Sequence, residues 1–270
     1  MRGPATCGSG RCVVPGLQGP RQGRCRVSTT RSILNDRRHR GRYPLTCAAA
    51  ASAPGGQMLV YVPPHPLVKH FLAVARNETT PPSLFRAAIS ELGRVLIYEA
   101  GREFLPTVDS TVIGPLGEAQ GTIVDPSRPV KVIPILRGGL CLQDQIATVL
   151  PNAVTYHMGL VRNPNTLEPS IYLNTLPASF AEDDLLMILD PTLATGGTMM
   201  RVLQEVTSRG AKPENIRIIS VIAAPPALQK LSARYPGMAV YAAIIDPELN
   251  ERGFIVPGYG DAGDRAFGTF

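Results

Sequence analysis

The body of this 270-residue chain has almost no cysteine. Cys7, Cys12, Cys25 and Cys47 all fall within the first 57 residues, which leaves Cys141 alone beyond them. One thiol cannot close an internal disulfide, and no C-x-x-C or comparable ligand spacing occurs. A disulfide-stapled scaffold and a cysteine-held metal are therefore excluded, and a reduced intracellular compartment fits. Long apolar runs are missing as well, none approaching the roughly 18 residues of a membrane-spanning helix, so a soluble protein with no membrane partner is expected. The Gly-Lys-Ser/Thr string of a nucleotide-binding P-loop is also absent, which argues against a P-loop kinase.

Acid is what the N-terminal segment lacks. Residues 1–57 hold ten Arg, no Lys and one acid, Asp36, and so carry +9; against +6 for the whole chain, the remainder sums to −3. The basic balance thus belongs to the leader. Nucleic acid is not an expected partner, because its binding needs a basic face on the folded domain. The leader is punctuated by Gly and Pro, carries Ser28, Thr29, Thr30 and Ser32 near its centre, and shows no continuous apolar stretch of the secretory kind. That composition reads as a disordered organelle transit peptide over residues 1–57. Cys47 and the four alanines after it look like a chloroplast processing junction, so the expected address is the plastid stroma, with mitochondrion or cytosol as alternatives. A basic tail that binds RNA and a leader with no role are the competing readings.

Beyond it, residues 58–270 are long enough for one domain with a sizeable core. Continuous apolar runs at 131–136 (KVIPIL), 154–160, 185–189 (LLMIL), 216–224 (IRIISVIAA) and 238–245 suit strands buried on both faces of a parallel sheet. Helical spacing separates several of them, notably Leu84, Ala88, Ile89, Leu92, Val95 and Leu96 after Ser83, and residues 140–150. Strand and helix alternate, which predicts a doubly wound α/β sheet. Residues 104–113 and 120–124 around a Gly-Pro-Leu-Gly turn predict a hairpin appended to that sheet. His65 and His70 lie five apart without a nearby acid, so packing or capping roles are expected rather than a metal site.

The most informative stretch is 185–198, LLMILDPTLATGGT. A buried strand ends at Asp190, the position where open α/β sheets place their ligands. Thr195, Gly196, Gly197 and Thr198 then offer successive backbone N–H groups and two hydroxyls at a helix start, a suitable nest for phosphate. Arg137-Gly138-Gly139 follows another strand and places a guanidinium fork beside exposed amides, a suitable clamp for diphosphate.

The string Asp190-Pro191-Thr192-Leu193-Ala194-Thr195-Gly196-Gly197 resembles the 5-phosphoribosyl 1-diphosphate (PRPP) motif of type I phosphoribosyltransferases, in the form found in uracil phosphoribosyltransferases. Pro191 stands where most of the superfamily has a second acid. Thr192 stands where the uracil enzymes often have methionine, and Gly138 where they more often have alanine. His65-Pro66-Leu67-Val68-Lys69-His70 looks like their opening signature. Arg162-Asn163-Pro164-Asn165-Thr166-Leu167-Glu168-Pro169 looks like their flexible loop, which closes over PRPP to keep water out. The tail from Asn250 to Arg265 is similar to their base-recognition segment, except that Tyr259 replaces the usual leucine. Its G-Y-G-D-A-G string is formally a G-x-G-x-x-G match, but only seven residues follow Gly263 and no helix or second strand of a dinucleotide unit is expected there.

Four ordered motifs over residues 58–270 carry the resemblance, and it implies a type I phosphoribosyltransferase sheet with the hairpin as a small hood. The implied reaction is pyrimidine salvage: uracil and PRPP give uridine 5′-monophosphate and diphosphate. By the same resemblance, Asp190, Arg137 and Asp261 serve catalysis. PRPP is held by Arg137, Arg162, Asp261 and the loop Asp190, Pro191, Thr192, Leu193, Ala194, Thr195, Gly196, Gly197 and Thr198. Uracil is read by Ile255, Gly260, Asp261 and Ala262, mostly through backbone groups. No dedicated metal ligand is implied: Mg²⁺ is held mainly by PRPP, with Asp261 facing it. A homodimer or homotetramer is implied, and GTP stands as a candidate allosteric activator. The alternatives are a phosphoribosyltransferase for another base and a PRPP-fold regulatory protein that binds nucleic acid.

Overall fold

The computed structural model describes residues 57–162 and 169–269. Strand β1 (Leu59–Tyr61) leads into helix α1 (Pro66–Arg76). His65 caps that helix, its Nδ1 accepting from the Leu67 amide at 3.1 Å, and Pro66 fits the first turn because no N–H is needed there. The capping role expected of His65 is thus realised. Helix α2 (Pro82–Gly101) buries Phe85, Ala88, Ile89, Leu92 and Leu96. Leu84, read as the start of that stripe, is 56% exposed. The helical period puts Phe85 in line with the buried positions instead.

Strands β2 (Thr107–Gly114) and β3 (Gly117–Val124) form the expected hairpin, paired from Thr107↔Val124 to Gly114↔Gly117. It is a two-stranded sheet of its own rather than a continuation of the main one. The main sheet begins again at β4 (Lys131–Leu136). Two single-turn helices, α3 (Leu140–Gln143) and α4 (Ile146–Val149), replace the one helix expected at 140–150. The strand expected at 154–160 is likewise in two pieces, β5 (Val154–Thr155) and β6 (Met158–Arg162).

Next come β7 (Pro169–Asn174), β8 (Leu186–Leu189), β9 (Thr192–Leu193), α5 (Gly197–Ser208), β10 (Ile216–Ala223), α6 (Pro225–Arg234) and β11 (Ala239–Ile245). The strand order is β1-β11-β10-β8-β4-β6-β7, with β5 also on β4 and β9 on β10. All these pairs are parallel except β6 with β7.

Period-two alternation divides the core between the two faces of this sheet. On β8, Met187 and Leu189 join the cluster that holds α1, α2 and α3 residues, while Leu186 and Ile188 join the cluster that holds Met199, Val202 and Leu203 of α5 and Leu231 of α6. Every residue of β8 is therefore inside, which is why its sequence shows no polar alternation. At roughly 1.5–3 kcal/mol for each fully buried large aliphatic side chain, this strand is held firmly, and so is Asp190 at its end.

The tail forms a short antiparallel pair, β12 (Glu248–Leu249) with β13 (Ile255–Val256), and then helix α7 (Ala262–Phe267). The sequence reading left no room for a helix here. A six-residue one forms because Asp261 caps it, accepting from the Asp264 amide at 2.9 Å, and Gly268 ends it in the left-handed region.

Candidate active site

The phosphate loop has the expected strand-loop-helix form. Asp190 follows β8, and its own amide is fixed by donating to the Ile219 carbonyl at 3.1 Å. The next residues pair with the neighbouring strand as β9, Thr192 opposite Ile222 and Leu193 opposite Ala223. Gly196 then takes φ +78, and a β-carbon there would sit 3.1 Å from the Ala227 backbone. Both facts demand glycine. From α6, Lys230 holds the turn by donating to the Thr195 carbonyl at 2.9 Å. The first amides of α5 have no intrahelical acceptor and carry the positive end of the helix dipole, so this end suits an anion.

The second loop packs against the first. A β-carbon on Gly139 would lie 2.5–2.7 Å from the Leu189 carbonyl oxygen and from backbone atoms of Ile135, so β4 and β8 approach each other through this residue. One on Gly138 would meet Pro191 at 2.9 Å. Gly138 and Pro191 thus fit one another, and the glycine serves close approach rather than looseness. Arg137 leans on the tail: it donates to Asp264 at 2.7 Å and to the Thr269 hydroxyl at 3.0 Å. Those bonds use two of its five N–H donors. Hydrogen bonds from the Thr269 hydroxyl and then from Arg137 hold the Asp264 carboxyl below its ordinary value.

The tail is anchored from behind. Asp246, 3% exposed, accepts from Arg76 at 2.6 Å and from the Gly258 amide at 3.0 Å, while Arg76 also donates to the Gly258 carbonyl at 3.1 Å. Arg265 lies over the Phe85 ring at 4.5 Å and donates to the carbonyls of Ala75, Asn77 and Tyr259. Tyr259 is buried against Phe85, and its hydroxyl donates to the Pro191 carbonyl at 2.7 Å. The same oxygen is 2.9 Å from the Thr192 hydroxyl. Burial holds the Tyr259 phenol well above its ordinary value, so it stays neutral.

The three segments meet in one cleft of about 700 Å³ at the carboxyl ends of β4 and β8. Arg137, Asp190, Pro191, Thr192, Ala194, Thr198 and Asp261 line it, as do Ile255, Gly260 and Ala262 from the tail. Leu193 is not part of the wall; it is 1% exposed and packs in the core with α5 and α6. Thr195, Gly196 and Gly197 form the turn into α5 beside the wall. Arg162 ends β6, but its side chain and residues 163–168 lie outside the described residues. Among the described residues, none of the cleft wall comes from the β2–β3 hairpin expected to be a hood; Arg252, Gly253 and Phe254 and Leu160, Val161 and Tyr172 also line it. Arg252, Gly253 and Phe254 fall in the tail segment already matched to base recognition, whereas Leu160, Val161 and Tyr172 were not expected to line a site. Nothing in the strand pattern of β7 marks Tyr172.

A mostly parallel sheet with an acid and an anion nest at its carboxyl edge defines an α/β protein built to hold a phosphorylated ligand. Comparison with known proteins narrows the class. The family model for uracil phosphoribosyltransferase matches residues 62–269. A Nostoc protein named uracil phosphoribosyltransferase is 59% identical over 213 residues, 79% of this chain and 99% of its own length. The Arabidopsis thaliana protein named uracil phosphoribosyltransferase, chloroplastic, is 49% identical over 243 residues, 90% of this chain and 82% of its own. Among solved structures, the AQ2163 protein of Aquifex aeolicus is 32% identical, with a TM-score of 0.72 over 78% of this chain and 99% of that one. The chain belongs to the uracil phosphoribosyltransferase family.

Proposed function

We propose that the protein transfers the 5-phosphoribosyl group of PRPP to uracil, releasing uridine 5′-monophosphate and diphosphate. The observation that carries this reading is the meeting of the Asp190–Thr198 loop and the 255–262 segment in a single cleft. The nest at the start of α5 takes the 5′-phosphate and so supplies position. Asp190 holds ribose hydroxyls and offsets positive charge on the ribose as the C1–O bond breaks. Arg137, through its remaining donors, stabilises the charge that collects on diphosphate. Ile255, Gly260 and Ala262 read the uracil edge through backbone groups, so the amino group of cytosine meets no acceptor of the right kind.

Among the described residues no group of three or more His, Cys, Asp or Glu is placed to hold a metal. Among the described residues the cleft has two carboxylates, Asp190 and Asp261, and one oxygen of Asp261 caps α7. That donor set fits Mg²⁺ carried by substrate oxygens, since this ion binds through one or two carboxylates together with phosphates. When bound, Mg²⁺ would supply positive charge beside the diphosphate.

Residues 58–270 form the catalytic domain in this reading, and residues 1–57 a plastid transit peptide. The longer match to the chloroplastic Arabidopsis protein, 243 residues against 213 for the Nostoc protein, supports the address. The protein acts as a homodimer or homotetramer, and GTP is the activator to test. The deciding assay is formation of labelled uridine 5′-monophosphate from uracil, PRPP and Mg²⁺ by protein beginning at residue 58. Cytosine, hypoxanthine and orotate are run in parallel, with and without GTP. Uracil-dependent product is expected; preference for another base would overturn the assignment.

A further inference from the structure

Side chains of two different loops touch one another. Thr192 lies in the phosphate loop and Tyr259 in the tail, 67 residues apart, and their side-chain oxygens are 2.9 Å apart. The direction of the bonds follows from their chemistry. Pro191 offers only a carbonyl, so the single Tyr259 hydroxyl proton goes there. Thr192 must then donate to the Tyr259 oxygen. The tail is thereby tied to the phosphate loop by two consecutive bonds through one buried hydroxyl.

The two ends of this tie are held by different parts of the fold. Thr192 is paired with Ile222 in the sheet, and the Pro191 carbonyl also accepts from the Val221 and Ile222 amides at 3.0 and 3.1 Å. The phosphate loop is therefore held by the sheet. Tyr259 sits between Gly258 at φ +52 and Gly260 at φ +80, with Gly258 held from behind by Arg76 and Asp246 and the Tyr259 carbonyl by Arg265, so its hydroxyl is the group that reaches toward the phosphate loop. Directly after it, Gly260, Asp261 and Ala262 line the cleft.

We propose that Tyr259 is a positioning residue whose hydroxyl, gripped by Thr192 and the Pro191 carbonyl, sets the tail at the distance from the phosphate loop that uracil requires. This rests on the assignment of residues 255–262 to the base. Removing the hydroxyl leaves the Pro191 carbonyl with its two backbone donors, so the fold loses little; what is lost is the register between the two loops.

The test is a double-mutant cycle with Tyr259→Phe and Thr192→Val in protein starting at residue 58, measuring KM for uracil, KM for PRPP and kcat. Tyr259→Phe should raise the uracil KM about three- to tenfold, the span expected for one buried hydrogen-bonded link, with PRPP KM within about twofold and a melting temperature close to that of the parent. Thr192→Val, which also alters a PRPP-binding residue, should raise the uracil KM to a lesser degree, and the uracil KM of the double variant should equal that of Tyr259→Phe alone. An unchanged uracil KM in Tyr259→Phe, or single effects that multiply in the double, would overturn the proposal. Photo-crosslinking of 5-bromouracil, mapped by mass spectrometry, separates the two levels. Crosslinks within 255–262 together with a silent Tyr259→Phe overturn the tie alone; crosslinks elsewhere overturn the base assignment and the tie with it.

Discussion

Asp190 sits at the end of a strand with no exposed residue, and its carboxylate accepts from the Thr192 amide at 3.4 Å. Asp190→Asn keeps shape and removes charge. Turnover should fall on the order of a hundredfold, the usual cost of deleting one group aimed at developing charge, while the melting temperature stays nearly that of the parent. Steady-state kinetics beside calorimetry would show the split, and retained activity would remove Asp190 from catalysis. Asp264 makes a second residue-scale case. Its carboxyl is held below its ordinary value of 3.8, first by the Thr269 hydroxyl and then by Arg137. A depressed carboxylate contributes stability that is present above the ordinary value and lost as pH falls through the folded-state value. The melting temperature of Asp264→Asn should therefore lie below the parent's at neutral pH, and the gap should close only below about pH 3.8.

At the scale of elements, what the sequence made legible was whatever repeats locally. The residues of β4, β8, β10 and β11 stand out because both faces of each strand are covered, and the Thr195–Thr198 turn stands out because its glycines serve one loop. What stayed hidden is paired across the chain. Arg76 and Asp246 are 170 positions apart and carry no shared pattern, yet they hold the Gly258 backbone between them. Helix α7 was hidden for a different reason: six residues are too few for a period to show, and the cap that starts it, Asp261, reads equally well as a ligand. Arg76→Met leaves the Asp246 carboxylate, 3% exposed, without its counter-ion. Stability in urea should drop by roughly 3 kcal/mol, the range for breaking one side of a buried pair. Uracil KM should rise with it, since Gly258 begins the turn that carries Tyr259; an unchanged KM would mean that the tail is set from elsewhere.

For the whole molecule, the β2–β3 hairpin is the feature that the cleft does not explain. It is a two-stranded ribbon with Ile113 89% exposed and Leu116 fully exposed. A bare ribbon of this kind is only marginally stable in water, so cover from a second copy of the chain is the expected arrangement. Light scattering on protein beginning at residue 58 should give the mass of a dimer or tetramer, and replacing residues 108–123 by a short Gly-Ser turn should lower it. A monomer in the intact protein would refute the arrangement.

The strand at the start of the described chain pairs with the last strand of the sheet: Leu59, Val60 and Tyr61 lie beside Ala239, Val240 and Tyr241. Arg265 then reaches back to the carbonyls of Ala75 and Asn77. During synthesis, the N-terminal edge must wait for about two hundred residues to emerge before it finds its partner, and contacts of such long sequence separation form slowly. The same pairing that completes the enzyme therefore delays its completion until the whole polypeptide has arrived.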